Sequence, residues 1–144
     1  MPDNIDTDAY QIIWLIRRLF RAMGHVAGKY LEDLDVTAAE RAVMEFVYPD
    51  QRLSVPDIAK RHQVSRQHVQ TTVNALMDKG LVTTADNPGH KRSPLIVLRD
   101  EGRAKFRTIL ERDRRVIEAV FADVPHTERR RTRDTLEKLL SNLS

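Results

Sequence analysis

The 144-residue sequence predicts a mainly α-helical protein with one small β-hairpin. Six segments carry helix signals, either apolar residues at helical spacing or residues that cap helix ends. Helical spacing gives way to strand-like sequence only between about residues 81 and 98, where residues 81–84 and 95–98 form two short β-type runs. Asp86-Asn87-Pro88-Gly89 lies between these runs and favours a turn, so the two runs are expected to pair as a hairpin.

The first predicted helix, over about residues 7–31, carries an unusually wide apolar face. The residues that form it are Ile12, Ile13, Trp14, Leu15, Ile16, Leu19, Phe20, Met23, Val26 and Tyr30. A face this wide exceeds what one packing partner needs. It is typical of a helix that packs against both its own domain and a second subunit.

Two short helices are expected next, each with a recognisable start. Thr37 and Glu40 have the spacing of a capping box, in which each side chain bonds a free backbone amide of the other. The helix that they begin covers about residues 38–47, and Pro49-Asp50 ends it. Ser54 is expected to cap a shorter helix that reaches about Arg61.

The remaining helices flank the hairpin. Ser65 is expected to cap a helix over about residues 65–79, which Gly80 ends. Its buried side is expected to be Val69, Val73, Leu76 and Met77. After the hairpin, a long helix covers about residues 100–121, Pro125 interrupts it, and a last helix covers about residues 127–143.

Composition excludes several classes of site. The chain has no cysteine, which excludes disulfides and thiolate metal sites. The acidic N-terminus lacks the features of a signal peptide, and the longest aliphatic-aromatic run is too short to cross a bilayer, so a cytoplasmic protein without a membrane partner is expected. The sequence also lacks a glycine-rich phosphate loop, a nucleophile elbow and a metal-binding histidine motif, so we expect no enzyme, no catalytic residues, no cofactor and no metal.

The positive charge is concentrated in one third of the chain. The net charge is +3, and residues 54–98 hold six basic and three acidic residues, whereas the rest holds 18 of each. Such a local excess is typical of a surface that meets nucleic acid.

The order short helix, tight turn, longer helix, basic hairpin predicts a winged helix-turn-helix that binds double-stranded DNA. A helix fits the major groove, where side chains distinguish base pairs, and a hairpin beside it can contact the flanking backbone. The exposed face of the 65–79 helix is polar and lacks acids before Asp78, although a solvated amphipathic helix is an alternative for that segment alone. The candidate DNA-binding residues are Ser54, Ser65, Arg66, Gln67, His68, Gln70, Thr71 and Asn74, with His90, Lys91 and Arg92 at the hairpin tip.

Three stretches of this region resemble the DNA-binding core of the MarR family of transcriptional regulators. They are residues 53–61 (LSVPDIAKR), 64–69 (VSRQHV) and 76–82 (LMDKGLV). Asn87-Pro88 and Arg92-Ser93 fall where that family has its wing, and the resemblance extends over essentially the whole chain. It implies a homodimer whose terminal helices form the interface, with dimerisation helices in residues 1–35 and 100–144 and the DNA-binding domain in residues 36–99.

The sequence departs from the family pattern at the turn and in the wing. His62-Gln63 stands where the family usually has Leu-Gly, and a glutamine at positive φ costs on the order of 1 kcal/mol relative to glycine. His90 replaces an aspartate that would brace Arg92, and Thr84 stands at a commonly basic position.

The resulting hypothesis is a dimer that binds a pseudo-palindromic operator, represses transcription and is released by a small-molecule effector. Trp14, Arg17 and Arg18 are candidates to bind the carboxylate of an aromatic effector, with surface ion pairing as the alternative. Two other functions remain open: an interaction module that has lost DNA binding, and a small-molecule-binding protein or enzyme that uses a pocket between domains.

Overall fold

A computed structural model describes residues 4–144; the first three residues of the predicted 1–35 segment lie outside this range. The helices and strands in this range are, in chain order, α1 (Thr7–Glu32), α2 (Ala38–Val47), β1 (Leu53–Ser54), α3 (Val55–His62), α4 (Arg66–Asp78), β2 (Val82–Ala85), β3 (Leu95–Leu98), α5 (Asp100–Val120) and α6 (His126–Asn142). The predicted mainly α-helical fold class is confirmed, and each predicted helix is present with ends that differ by at most a few residues.

The helix starts follow the predicted capping chemistry. At α2 the Thr37 hydroxyl accepts from the Glu40 N–H at 3.1 Å, and the Glu40 carboxylate accepts from the Thr37 N–H at 3.1 Å. This reciprocal pair is the capping box. Gly80 follows α4 at φ +71°, a left-handed conformation that favours glycine and ends the helix.

The hairpin belongs to a three-stranded antiparallel sheet of order β1-β3-β2. β2 and β3 pair from Val82 opposite Leu98 to Ala85 opposite Leu95. The two-residue strand β1 was not predicted from the sequence; it pairs Leu53 with Ile96 on the other side of β3. This third strand connects the β2–β3 hairpin, which is the wing of the winged helix-turn-helix, to the segment that leads into α3.

The chain divides into two compact units, residues 1–109 and residues 110–144. The core of the first unit is formed by buried side chains of α2, α3, α4, the sheet and the first part of α5, including Met44, Ile58, Leu76, Ile96 and Phe106. Met77 was predicted to face this core, but its side chain is 42% exposed. At the other edge of this helix face Thr72 is buried, and its hydroxyl is satisfied inside the protein by donating to the His68 carbonyl at 2.9 Å.

The second unit contains the end of α5, and α6. Arg129 of α6 donates to the carbonyls of Phe121 and Val124 and so satisfies groups at the end of α5. On α5, the hydrogen bond and the charge of Arg114 lower the pKa of Glu111 below its ordinary value. No helix within residues 4–144 is both long and apolar enough to cross a membrane.

Candidate nucleic-acid interface

The turn between α3 and α4 keeps the geometry that a helix-turn-helix requires. Gln63 follows α3 with φ 58° and ψ 43°, in the left-handed region, and its N–H donates to the Ala59 carbonyl. The Val64 N–H reaches the same carbonyl at 3.1 Å. The chain therefore adopts at Gln63 a conformation in which glycine is unstrained, and α4 starts three residues later, at Arg66.

Two of the candidate residues cap helices, and they differ in accessibility. Ser65 begins α4, and its hydroxyl accepts from the His68 N–H at 3.0 Å while the side chain stays exposed. Ser54 caps α3 by accepting from the Asp57 N–H at 3.3 Å, and it is only 4% exposed. The structure therefore places Ser54 inside the protein, where its role is to start α3.

α4 has one buried and one exposed face. Val69, Thr72, Val73 and Leu76 are buried. The six other candidates of this helix are all exposed: Arg66, Gln67, His68, Gln70, Thr71 and Asn74. Helical geometry places Gln67, Thr71 and Asn74 along the line opposite the buried side, with Gln70 beside them towards the wing. A convex polar surface of this kind can enter a groove of DNA without exposing apolar residues.

The wing loop is organised by one side chain. The Asn87 amide donates to the Ser93 carbonyl at 2.9 Å, and its oxygen accepts from the Gly89 N–H at 3.2 Å. These bonds brace both ends of the loop that carries the exposed residues His90, Lys91 and Arg92. Asn87 thus provides a brace in a wing that lacks an aspartate at position 90.

A groove of about 370 Å³ lies between α4 and the wing. Arg66, Gln67 and Gln70 line it from α4 and Arg92 lines it from the wing, while Val73 and Ile96 form part of its floor. The structure thus brings four predicted site residues together around one depression. His68, Thr71 and Asn74 are exposed elsewhere on α4.

Lys60 was missed as a candidate from the sequence. It lines a second depression, of about 350 Å³, together with Pro56 of α3 and Arg66 at the start of α4. The lining of this depression also includes the acidic residue Asp57, so the two cations give the depression a net positive charge at the N-terminal end of α4, which favours an anion such as a phosphate. The adjacent bases Lys60-Arg61 at the end of α3 were the signal in the sequence.

The C-terminal end of α4 is tied to the junction between α1 and α2. Lys79 Nζ lies 2.7 Å from the Asp35 carbonyl oxygen and 3.0 Å from Glu40 Oε1. Burial of the ammonium group lowers the pKa of Lys79, but the hydrogen bonds and charges of Glu40 and Asp35 raise it by more, so that it lies above the ordinary 10.5. Lys105 of α5 donates to the neighbouring Leu34 carbonyl at 2.8 Å. Two lysines thus hold two consecutive carbonyls of this junction.

The candidate effector residues lie on the exposed part of α1. The Arg18 guanidinium carbon is 4.6 Å from the centre of the Trp14 ring, a cation–π contact, and Trp14 is 47% exposed. Arg17 is exposed beside them. Within residues 4–144, no group of three or more histidine, aspartate or glutamate side chains could hold a metal ion.

Comparison with known sequences gives a consistent set of matches. The MarR family model matches residues 34–93 of this chain. The uncharacterised protein Rv2011c of Mycobacterium tuberculosis is 34% identical over 131 residues, which cover 87% of this chain and 92% of that protein. The HTH-type transcriptional repressor YetL of Bacillus subtilis is 24% identical over 142 residues, which cover 97% of this chain and 83% of YetL.

Comparison with solved structures gives the same fold. Staphylococcus aureus MarR in complex with salicylate and kanamycin has a TM-score of 0.86 at 14% identity, over 96% of this chain and 93% of that one. The S. aureus MepR–DNA complex has a TM-score of 0.80 at 22% identity, over 91% of this chain and 95% of that one. At these identities the likeness establishes the fold alone, a winged helix-turn-helix that long helices precede and follow in the sequence.

Proposed function

This chain belongs to the MarR family of transcriptional regulators, and from that premise we propose that it acts as a homodimer that binds a pseudo-palindromic DNA operator and represses transcription. Residues 36–99 are the DNA-binding domain in this proposal, and residues 1–35 and 100–144 supply the dimer interface. The bound dimer occludes RNA polymerase. In this proposal the protein acts by binding and performs no enzymatic reaction.

One observation carries the proposal: the exposed face of α4 is polar and free of acids until Asp78. Amide, hydroxyl and guanidinium groups can donate to or accept from base edges, whereas a carboxylate facing DNA would be repelled by the phosphates. The residues proposed to contact base edges or the adjacent backbone are Arg66, Gln67, His68, Gln70, Thr71 and Asn74, with the exposed cap Ser65.

The wing and α3 supply the proposed backbone contacts. Lys91, Arg92 and His90 are exposed at the wing tip, and Lys60 of α3 is exposed and lines a depression together with Arg66 at the start of α4. Phosphate contacts of this kind position the protein and carry no sequence information themselves. In this proposal, base readout by α4 is accompanied by backbone contacts from cations of the wing and of α3.

Exposed apolar side chains on α1 and, separately, on α6 support dimerisation with a second copy of the chain. On α1, Leu19 is 57% and Phe20 is 78% exposed, and near the C-terminus Leu140 is 68% exposed. Soluble proteins rarely leave several large apolar side chains in water on one helix without an interaction partner. Each half of a palindromic operator then meets one protomer.

Release by an effector is the regulatory part of the proposal. An aromatic carboxylate can stack against Trp14 and pair with Arg17 or Arg18. Such a ligand changes DNA binding only if it binds one spacing of the two recognition helices more tightly than another. A thermal-shift screen of aromatic acids, with Trp14→Ala as control, tests this part; a shift that survives the substitution places the ligand elsewhere.

The direct test is a salt titration of duplex binding followed by fluorescence anisotropy. We expect binding of a duplex to weaken steeply as salt rises, because bound phosphates release counterions. Lys91→Ala should reduce the salt slope by about 1 and weaken binding to all sequences alike. Gln51→Ala, at an exposed position outside the proposed surface, should leave the salt slope and the affinity for DNA unchanged. Absence of duplex binding at low salt would overturn the proposal in favour of an interaction module.

A further inference from the structure

We propose that Asn74 reads an adenine in each operator half-site and that Gln70 is the positioning residue that orients the Asn74 amide. This inference rests on the proposed function, because it assumes that α4 enters the major groove. It assigns different roles to two exposed amide side chains of α4: Asn74 contacts the base, and Gln70 orients Asn74.

The geometric basis is a side-chain hydrogen bond one turn apart on the exposed face of α4. Gln70 Nε2 donates to Asn74 Oδ1 at 2.9 Å. Both side chains are exposed, and Asn74 lies on the line of the helix that is opposite the buried residues Val69, Thr72, Val73 and Leu76. Asn74 therefore points away from the core, with its amide held from the side.

The bond leaves a defined set of groups available on Asn74. Its Oδ1 keeps one lone pair, and its Nδ2 keeps both hydrogens. The side chain still presents an acceptor and a donor side by side. With the Gln70 amide oriented as in this structure, a rotation of the Asn74 amide by 180° would place Nδ2 against Gln70 Nε2, donor against donor; the hydrogen bond returns only if the Gln70 amide rotates as well, so the two amides are oriented together.

This pair of groups matches the major-groove edge of adenine. Adenine offers an acceptor, N7, beside a donor, N6, and an amide can bond both at once. Guanine offers two acceptors, so the Asn74 oxygen would face another acceptor there. Thymine and cytosine each present a single polar group on this edge. The fixed amide thus prefers adenine over the other three bases.

Selection of bound sites from random duplex DNA tests the roles separately. The parent protein should enrich adenine at one position of each half-site. Asn74→Asp keeps the acceptor for Gln70 but loses the donor, so the adenine preference at that position should fall about 5-fold or more and shift towards cytosine, whose N4 donates. Gln67→Ala serves as control and should alter a different position.

Variants of Gln70 test the positioning role. Gln70→Glu can no longer donate to Asn74, so adenine preference should fall at the position that Asn74→Asp alters. Gln70→Arg retains an N–H donor and should keep the adenine preference that Gln70→Glu loses. A merely structural role of Gln70 would not distinguish these two variants in this way. The preference for adenine over the other bases is measured separately for each variant, so a uniform change in affinity for all sequences does not affect the result.

The outcomes separate the two proposals. If the parent enriches no sequence at all, the proposed function fails and this inference fails with it. If the parent enriches a sequence but Asn74→Asp leaves every position unchanged, only the adenine assignment is overturned. If Gln70→Glu alters a position different from that altered by Asn74→Asp, the two residues read DNA independently and the positioning role is overturned.

Discussion

Lys79 Nζ lies 3.0 Å from Glu40 Oε1, and this ion pair joins the end of α4 to the start of α2. Glu40 is only 3% exposed, and the same oxygen also accepts the Thr37 N–H of the capping box. The Lys79 side chain is 27% exposed. The pair therefore neutralises a buried carboxylate and fixes the position of α4 at the same time.

Removal of the ammonium group should destabilise the fold. In Lys79→Met the Glu40 carboxylate stays buried without its cation, so we expect the free energy of unfolding to fall by roughly 1–3 kcal/mol. Urea unfolding measures this free energy. Lys60→Met, at an exposed position of α3, is the matched control and should change little. A double-mutant cycle with Glu40→Gln should give a coupling energy of about 0.5 kcal/mol or more; additive effects would contradict the account.

The same pair predicts a stability change at alkaline pH. The folded-state pKa of Lys79 lies above its ordinary value of 10.5. Stabilisation by the pair is thus fully present below the unfolded-state pKa and is lost as the pH rises through the folded-state pKa. The difference in unfolding free energy between the parent and Lys79→Met should therefore be constant from about pH 7 to pH 9 and shrink above the ordinary lysine pKa. A difference that grows with pH would show that another group is responsible.

The left-handed conformation of Gln63 predicts an order among substitutions. Its φ of 58° is poorly tolerated by a β-branched residue, so Gln63→Val should lower the free energy of unfolding by about 1–2 kcal/mol. Gln63→Gly should leave it unchanged or raise it by up to about 1 kcal/mol. Gln51→Val is the control, since Gln51 is an exposed glutamine outside the left-handed region. Equal effects of valine at both positions, measured by urea unfolding, would argue against strain at the turn.

Two glycines should respond oppositely to alanine. A Cβ at Gly102, in the first turns of α5, would lie 2.1 Å from the Leu81 carbonyl oxygen and 2.9 Å from Leu98 Cδ2. Gly102→Ala should therefore lower the thermal midpoint, with a loss of roughly 1–3 kcal/mol, because backbone must move. At Gly28 in α1 a Cβ meets nothing within 4 Å, so Gly28→Ala should raise stability by about 0.5–1 kcal/mol. Both are read from thermal unfolding at one protein concentration; a neutral Gly102→Ala would mean that α5 does not lie against Leu81.

Dimerisation can be tested on α1. Phe20 is 78% exposed in the single chain, and Phe20→Glu places a charge in the proposed interface. We expect the variant to dissociate at concentrations at which the parent is dimeric, as measured by sedimentation equilibrium. Arg52→Glu introduces the same residue at an exposed loop position and should remain dimeric. A monomeric parent would contradict the proposed twofold arrangement.

Local sequence signals predicted most of the fold, because the relevant interactions lie within a few residues. The capping residues Thr37, Ser54 and Ser65 and the terminator Gly80 each act on their own turn of helix. Strand β1 was missed because two residues carry no periodicity, and its pairing depends on residues of β3 that lie 41 and 43 positions later. The burial of Thr72 and the exposure of Met77 depend on packing around α4 and on a hydroxyl bond to the backbone, neither of which periodicity reveals.

In the candidate site, too, local sequence signals predicted some features and long-range packing determined others. The exposed polar face of α4 followed from helical spacing, since the apolar residues fixed the opposite side. Ser54 was placed in the site by sequence, but its position at the end of β1 buries it. The Lys60-Arg61 pair was visible in the sequence, but its place beside Arg66 was not. The tie between Lys79 and Glu40 needed three-dimensional information, because it joins residues 39 positions apart.

The central claim is that the two copies of α4 in the dimer each enter the major groove of one operator half-site. A dimethyl sulfate footprint on a selected duplex tests this claim most directly. This reagent methylates guanine N7 in the major groove and adenine N3 in the minor groove. We predict protection of guanine N7 in two blocks whose centres lie about 10 base pairs apart. Unprotected guanines throughout the bound site, or a single protected block, would contradict the account.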